Sequence, residues 1–128
     1  MRDRILPHFL EGEKAVLGAC LLDNQCIPKV RTVLEPKDFY SSNHSLIFQM
    51  VCALSDKGDP VDWLTLTRIL DKFGHLDRIG GTQCLTELSD AVPSAANVLH
   101  YAERVKEKST LREVILSLSE VVEKCYAA

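Results

Sequence analysis

The amino-acid sequence predicts an all-α protein: a compact helical bundle head of about five to six helices, followed by the start of a helical hairpin. Apolar residues recur at spacings of three and four through nearly every segment, which is the period of an amphipathic α-helix. Glycine and proline at residues 58–60, 80–81 and 93 separate these segments and are typical of helix ends and turns. The 128 residues are enough for one domain with a sizeable core.

The first three helices follow from apolar spacing and end signals. A nearly buried first helix is predicted from Glu13 to Leu22. A short second helix is predicted for Pro28–Leu34, since proline fits a first helical turn and Pro36 stops the helix soon afterwards. Asn43 is expected to cap a third helix, which ends at residues 57–60 and turns these apolar side chains inward: Leu46, Ile47, Met50, Val51 and Leu54.

The fourth and fifth helices have clear boundaries. Asp62 is a favourable N-cap for a helix from Trp63 to Phe73, which Gly74 ends. Its inward residues are predicted to be Leu66, Ile69, Leu70 and Phe73. Gly80-Gly81 is expected to open the fifth helix and Pro93 to end it, with Leu85, Leu88 and Val92 facing inward.

The last predicted helix, Asn97–Tyr126, changes phase along its length. Ser94 or Asn97 is expected to cap it, and its first part turns Val98, Tyr101, Ala102 and Val105 inward. Its second part has an apolar seam in which successive residues are spaced 4-3-4-3, formed by Leu111, Ile115, Leu118, Val122 and Cys125. At about 100° per residue, the apolar stripe rotates by roughly −120° between the two parts, so they face different partners. The polar residues 106–110 between them are expected where the helix crosses solvent or breaks.

This phase change divides the chain into a globular head, residues 1–108, and the start of a dimerising hairpin, residues 109–128. The seam has the spacing of paired helices, but the chain offers little to lie opposite it. The seam could fold back on the head, or it could pair with a second chain or with a missing C-terminal helix. We expect that the domain self-associates or is part of a longer protein.

Charge and hydropathy exclude several classes of function. The net charge of −3 and the pI near 5.8 leave no basic excess for neutralising phosphates, which disfavours direct nucleic-acid binding. The same balance argues against a helix-turn-helix DNA reader built from the helices around Gly74. No apolar run approaches a membrane span or a signal peptide, so we expect a cytoplasmic protein without membrane contact.

The sequence contains no strong catalytic, cofactor-binding or metal-binding pattern. The phosphate-binding motif G-x-x-x-x-G-K-[ST] is absent. The cysteines form no CxxC pair and are expected to be reduced thiols of the core: Cys20, Cys26, Cys52, Cys84 and Cys125. The histidines are scattered singly and are expected at the surface or its boundary: His8, His44, His75 and His100.

Two pairs of residues have structural interpretations. Glu11 and Glu13 lie at a helix start, where negative charge complements the helix dipole. Trp63 and Tyr40 are expected to pack in the core, because aromatic residues are too few for a base-stacking surface. Residues 38–40 are read as a turn whose aromatic side chains plug the bundle.

Several segments taken together resemble the N-terminal domain of bacterial replicative DNA helicases of the DnaB type. The resemblance covers nearly the whole chain and rests on the order and approximate spacing of the segments. These are Pro7–Asp23, Pro36–Tyr40, His44 with Leu46–Phe48, Gly58–Asp62 with Leu64–Leu66, Ile79–Gly81, and Pro93–Val98 with Tyr101, Ala102 and Val105–Lys108.

The resemblance implies a helical head followed by a hairpin, forming the N-terminal collar of a hexameric helicase ring. In that family, hairpins pair two chains and three dimers form the ring. The collar has no catalytic activity, and ATP and Mg²⁺ bind in an ATPase domain beyond Ala128. Its implied partners are other copies of itself, the C-terminal helicase-binding domain of primase and, in some lineages, the helicase loader.

The resemblance also implies partner-binding residues. Glu11 matches a glutamate of the primase-docking surface, while Ile115 and Val121 match apolar hairpin positions at that interface or its supporting dimer contact. Cys84 stands where many members have tyrosine, which removes an amphipathic anchor. With the seam, the candidate set becomes Glu11, Cys84, Leu111, Ile115, Leu118, Val121 and Val122. The alternative function is a stand-alone or phage-encoded adaptor that mimics the collar and binds a host helicase or primase.

Overall fold

The computed structural model describes residues 4–91 and 94–128, and within them it contains six α-helices and no β-strand. The helices are α1 (Leu10–Leu22), α2 (Cys26–Arg31), α3 (Ser42–Asp56), α4 (Trp63–Lys72), α5 (Thr82–Asp90) and α6 (Val98–Ala127). Two short 3-10 turns lie at Pro36–Asp38 and Asp77–Ile79. The all-α prediction is confirmed.

Helix α1 lies at the centre of the head and contacts α2, α3, α5 and α6. It is therefore buried on almost every side, and Val16, Leu17 and Cys20 have no exposed surface. The other helices each contribute one apolar stripe to the same core, as Leu66 in α4 and Leu85 in α5 illustrate. Full burial of each such side chain stabilises the fold by about 1.5–3 kcal/mol.

Several helix ends lie where the sequence predicts them. Asp62 caps α4, since its carboxylate accepts from Thr65 N–H at 2.9 Å while the Thr65 hydroxyl accepts from Asp62 N–H at 2.9 Å. Gly80 and Gly81 both have positive φ, at 93° and 78°, which favours glycine where the chain turns into α5. The expected inward residue Val92 and the expected helix stop Pro93 lie outside the described residues.

Three helix starts differ from the prediction. Helix α1 begins at Leu10, three residues before its predicted start at Glu13. Ser41, rather than Asn43, caps α3, because its hydroxyl accepts from His44 N–H at 3.3 Å. Helix α2 begins at Cys26 and ends at Arg31, two residues before its predicted start and three before its predicted end.

Three aromatic residues predicted to be inside are at the surface. Tyr40 is 40%, Trp63 42% and Phe73 56% exposed, so their placement in the core was wrong. Phe73 follows the last residue of α4 and forms its C-cap, where the helical period no longer determines which way a side chain points. Phe39, next to Tyr40, does plug the core and packs against Phe48 at 5.0 Å between ring centroids.

Helix α6 runs unbroken for 30 residues, so the alternative in which it breaks is wrong. Its first part packs on the head through Val98, Ala102 and Val105, as predicted. No helix among residues 4–91 and 94–128 has the length and apolar character needed to cross a bilayer, and this includes α6.

Candidate protein-interaction surfaces

The second half of α6 projects from the head with its apolar side chains uncovered. Every residue from Glu113 to Ala128 is exposed, and we call this projecting part of the helix the stem. Its large apolar residues, together with Leu111 at its base, are 40–84% exposed: Leu111, Val114, Ile115, Leu116, Leu118, Val121, Val122 and Tyr126. Isolated exposed apolar residues are common, but a contiguous group of this size marks an interaction surface.

All of these residues except Leu116 lie on one side of the helix. At 100° per residue, the stripe from Val121 to Tyr126 spans about 140° of the helix circumference, and Leu116 lies on the opposite side. Such a stripe is wider than a two-stranded seam and suits packing against two neighbouring helices. Because the stripe is exposed, folding back on the head, one of the three alternatives for the seam, is wrong.

A buried carboxylate fixes the direction in which α6 leaves the head. The side chain of Asp38 is fully buried and accepts from Glu35 N–H at 2.7 Å, Ser109 Oγ at 2.7 Å and Lys106 Nζ at 3.2 Å. Ser109 is itself buried, so residues 106–110 do not cross solvent as predicted. These bonds attach the middle of α6 to the 3-10 turn that contains Asp38.

Arg112 adds a second attachment one turn later. Its guanidinium donates to the carbonyl oxygens of Pro7 at 2.9 Å and of Asp38 at 2.7 Å, and lies 5.5 Å from the ring centroid of Tyr40. The N-terminal segment, the 3-10 turn and α6 therefore meet at this residue. The buried contacts of α6 with the head end at Arg112, and the first residue of the stem, Glu113, adds an exposed ion pair of 3.9 Å with Lys37.

The pH dependence of stability provides a test of the Asp38 cluster. Burial alone would raise the pKa of Asp38, but hydrogen bonds from Glu35 N–H, Ser109 and Lys106 hold it below its ordinary value of 3.8. The folded chain therefore keeps Asp38 ionised at a pH where the unfolded chain protonates it. This stabilisation is complete above about pH 5 and is lost as the pH falls through the lowered pKa. In urea unfolding between about pH 5 and pH 3, we expect the wild type to lose more stability than Asp38→Asn.

The exposed Asp71 offers a matched control for that experiment. Asp71→Asn should reproduce the wild-type dependence on pH, because water solvates this exposed carboxylate in both the folded and the unfolded chain. Equal acid sensitivity of the wild type and Asp38→Asn would contradict the assigned role of Asp38.

A groove of about 600 Å³ lies where the first turns of α1, α3 and α5 converge, and Cys84 lines it. Lys14 lines the same groove and forms an ion pair of 3.7 Å with the exposed Glu11. The structure thus brings Glu11 and Cys84 to one region of the head. The other candidate residues lie along α6 from Leu111 to Val122, and none of them lines this groove.

Glu13 has a different role from the one predicted for it at the start of α1. Only 1% of it is exposed, and its carboxylate accepts from Tyr40 N–H at 2.7 Å and from Ser41 N–H at 3.3 Å. The Nδ1 atom of His44 lies 2.8 Å from the same carboxylate. His44 is buried, so its expected position at the surface or boundary was wrong. Glu13 joins α1 to the start of α3.

The cysteines do not form one class. Cys20 and Cys26 are buried, Cys52 and Cys84 are half-buried, and Cys125 is exposed on the stem, where the prediction of a core thiol was wrong. Burial, with smaller effects of neighbouring cysteines, raises the pKa of Cys20 to about 12. Burial and then the Glu87 carboxylate raise the pKa of Cys84, so its thiol is a weak nucleophile at neutral pH.

Sequence reasoning missed Asp38, Ser109 and Arg112, which orient the stem. Ser109 and Arg112 lie four and seven residues after Val105, so the helical period places them on the face that packs on the head. Within the part of the chain that the structure describes, no three His, Cys, Asp or Glu side chains cluster closely enough to hold a metal ion.

Comparison with known proteins places this arrangement among helicase domains. Residues 5–107 match the model of the DnaB-like helicase N-terminal domain. The replicative DNA helicase DnaB of Geobacillus stearothermophilus is 43% identical over 97% of this chain, and the replicative DNA helicase DnaC of Bacillus subtilis is 38% identical over 98%. The chain spans 27% and 28% of the lengths of these two relatives.

Solved structures show the same fold. The N-terminal domain of DnaB helicase from Mycobacterium tuberculosis matches with a TM-score of 0.94 and 38% identity, covering 96% of this chain and 85% of that one. The corresponding domain from Helicobacter pylori, studied together with its interactions with primase, matches with a TM-score of 0.77 and 24% identity. That match covers 91% of this chain and 90% of the other.

Proposed function

Because the chain belongs to the family of DnaB-like helicase N-terminal domains, we propose that it is a non-catalytic assembly and docking domain of a replicative helicase in the cytoplasm. The exposed apolar stripe of the stem is the observation that carries this proposal. Exposing this stripe to water does not stabilise a monomer. Pairing would bury the stripe and stabilise the pair by about 25 cal/mol per Å² of apolar surface removed from water. ATP binding and hydrolysis with Mg²⁺ are proposed for the remainder of the full-length helicase.

The stem is proposed to pair with the stem of a second copy, either directly or within a helical hairpin. Its stripe of about 140° suits a bundle in which each helix contacts two neighbours. The bonds of Ser109 and Arg112 of α6 to Asp38 support this arrangement, since they hold the stem at a defined angle to the head. Pairs of defined shape are what a closed hexameric ring requires.

Docking of the primase C-terminal domain is proposed for the region that contains Glu11 and Cys84, together with Ile115 and Val121 of the stem. An exposed carboxylate beside a groove, combined with apolar residues, suits a small interface with a charged rim. The Helicobacter pylori domain, which has the same fold, was studied with its primase. Contact with a helicase loader is proposed as a second docking role of this collar.

Charge in the apolar stripe should abolish self-association. We expect Ile115→Asp or Leu118→Asp to raise the dimer dissociation constant by about 100-fold or more, because a carboxylate would have to be buried without a partner. The head should remain folded, since both residues are exposed on the stem. Sedimentation equilibrium over a concentration series measures the effect, and circular dichroism checks the fold.

The same helix provides a matched control. Leu116 is as exposed as its neighbours but lies on the opposite side of the stem, so Leu116→Asp should leave the dissociation constant unchanged. Addition of the primase C-terminal domain to the wild type should increase the sedimenting mass. Unchanged association in Leu118→Asp, or equal loss in Leu116→Asp, would contradict the proposed dimer surface.

A further inference from the structure

A smaller groove lies between the end of α3 and α4. Its volume is about 220 Å³, and we call it the α3–α4 groove. It shares no residue with the groove around Cys84 or with the stem. Its lining residues are Leu54, Lys57, Thr65, Arg68, Ile69, Lys72 and Phe73.

The α3–α4 groove is positively charged although the chain as a whole is acidic. Three cations line it, Lys57, Arg68 and Lys72, and no carboxylate does. Across residues 4–91 and 94–128, no carboxylate lies within 4.0 Å of any of these three groups. Of the neighbouring carboxylates, Asp56 binds Arg31 at 2.7 Å, Asp62 accepts from Thr65 N–H as the N-cap of α4, and Asp59 and Asp71 are outside the lining.

The floor of the groove is apolar. Leu54 and Ile69 form its buried part, while Phe73 remains 56% exposed beside it. The ammonium group of Lys72 lies 5.7 Å from the centroid of the Phe73 ring. An exposed aromatic ring next to unpaired cations offers an apolar contact and a charged contact within one small site.

We propose that the α3–α4 groove binds an acidic peptide segment of a partner protein through one apolar side chain and the carboxylates on either side of it. The apolar side chain would pack on Phe73 and Ile69, and the carboxylates would pair with Lys57, Arg68 and Lys72. A cavity of this volume takes a single side chain, below the range of about 300–1,000 Å³ typical of small-molecule pockets. Three cations on a protein of net charge −3 are too few for a nucleic-acid track, which needs an extended basic surface.

Fluorescence polarisation with a labelled synthetic peptide tests the proposal. The probe is a short peptide of glutamates interrupted by phenylalanine, and two variants replace its phenylalanines by alanine or its glutamates by lysine. We expect saturable binding of the probe, with both peptide variants at least about tenfold weaker, because each loses one of the two kinds of contact.

Variants of the protein test whether the peptide binds in the α3–α4 groove. The double variant Arg68→Glu with Lys72→Glu should weaken binding by about tenfold or more, and Phe73→Ala should weaken it severalfold. The double variant Lys29→Glu with Arg78→Glu makes the same change in net charge outside the groove and should bind like the wild type. All three variants change exposed residues, and circular dichroism verifies their folding.

Four results would overturn the proposal. The first is the absence of saturable binding, and the second is equal weakening in the two charge-reversal variants, which would indicate an effect of overall charge alone. The third is equal binding of the alanine peptide, and the fourth is stronger binding of single-stranded oligothymidylate than of the peptide. None of these results depends on the stem. The proposal that the stem forms a dimer is therefore tested separately, by sedimentation.

Discussion

Replacing Glu13 by alanine is expected to lower the free energy of unfolding by about 3 kcal/mol, whereas Glu11→Ala changes it by less than about 0.5 kcal/mol. Both residues are glutamates in the first turn of α1, two positions apart. Glu13 is 1% exposed, while the side chain of Glu11 is 80% exposed and forms an ion pair of 3.7 Å with Lys14. The pair therefore separates the effect of the buried hydrogen bonds from the effect of charge at a helix start.

The loss in Glu13→Ala comes from the donors that would be left without an acceptor. Tyr40 N–H and Ser41 N–H both bond to the Glu13 carboxylate, and the ring of His44 lies against it. A buried donor deprived of its partner costs about 1–3 kcal/mol. Urea unfolding measures the difference, and Glu13→Gln, which keeps one acceptor oxygen, should show a smaller loss. Equal stability of the Glu11 and Glu13 variants would show that the carboxylate of Glu13 does not support the fold.

The difference between these two glutamates was present in the sequence. Val16, Leu17 and Cys20 follow Glu13 at three, four and seven residues, so the helical period places Glu13 on the buried face of α1. Glu11 is followed at three, four and seven residues by Lys14, Ala15 and Gly18, so its face of the helix carries no large apolar side chain. The helix dipole does not distinguish the two glutamates, because its interaction with a charge depends only on the distance of that charge from the helix end.

Local patterns predicted most of the fold, since each amphipathic helix is defined within its own segment. The cap of α4 by Asp62, and the turn at Gly80 and Gly81, were predicted for the same reason, whereas the reciprocal bond from Thr65 was not predicted. The buried position of Asp38 could not be predicted in this way, because its partners Lys106 and Ser109 are 68 and 71 residues away in sequence. The helical period relates only residues within one helix, so it cannot predict a contact between residues so far apart in sequence. The apolar seam of the stem was visible in the sequence, and the structure adds its exposure and the angle at which α6 leaves the head.

Arg112→Ala should loosen the junction between the head and the stem and lower the free energy of unfolding by about 2–4 kcal/mol. The guanidinium bonds to two main-chain carbonyls, of Pro7 and Asp38, that would lose their donors together. The ring of Tyr40 would also lose its cation–π contact with the guanidinium group. Because the Pro7 carbonyl belongs to the segment that precedes α1, this segment should detach from α6 in the variant.

Hydrogen exchange combined with urea unfolding distinguishes a local effect from a general one. The amides of residues 5, 6, 8 and 9 and of the middle of α6 should exchange faster in Arg112→Ala, while the amides of α1 in the core should speed up only in proportion to the loss of global stability. Lys108→Ala, one turn earlier on the same helix, removes a cation with no ion pair within 4.0 Å in the described part of the chain and should behave like the wild type. If Arg112→Ala melts like Lys108→Ala, then the bonds of Arg112 to Pro7 and Asp38 do not hold the stem. Its direction is then set by the bonds of Lys106 and Ser109 to the Asp38 carboxylate and by the packing of Val98, Ala102 and Val105.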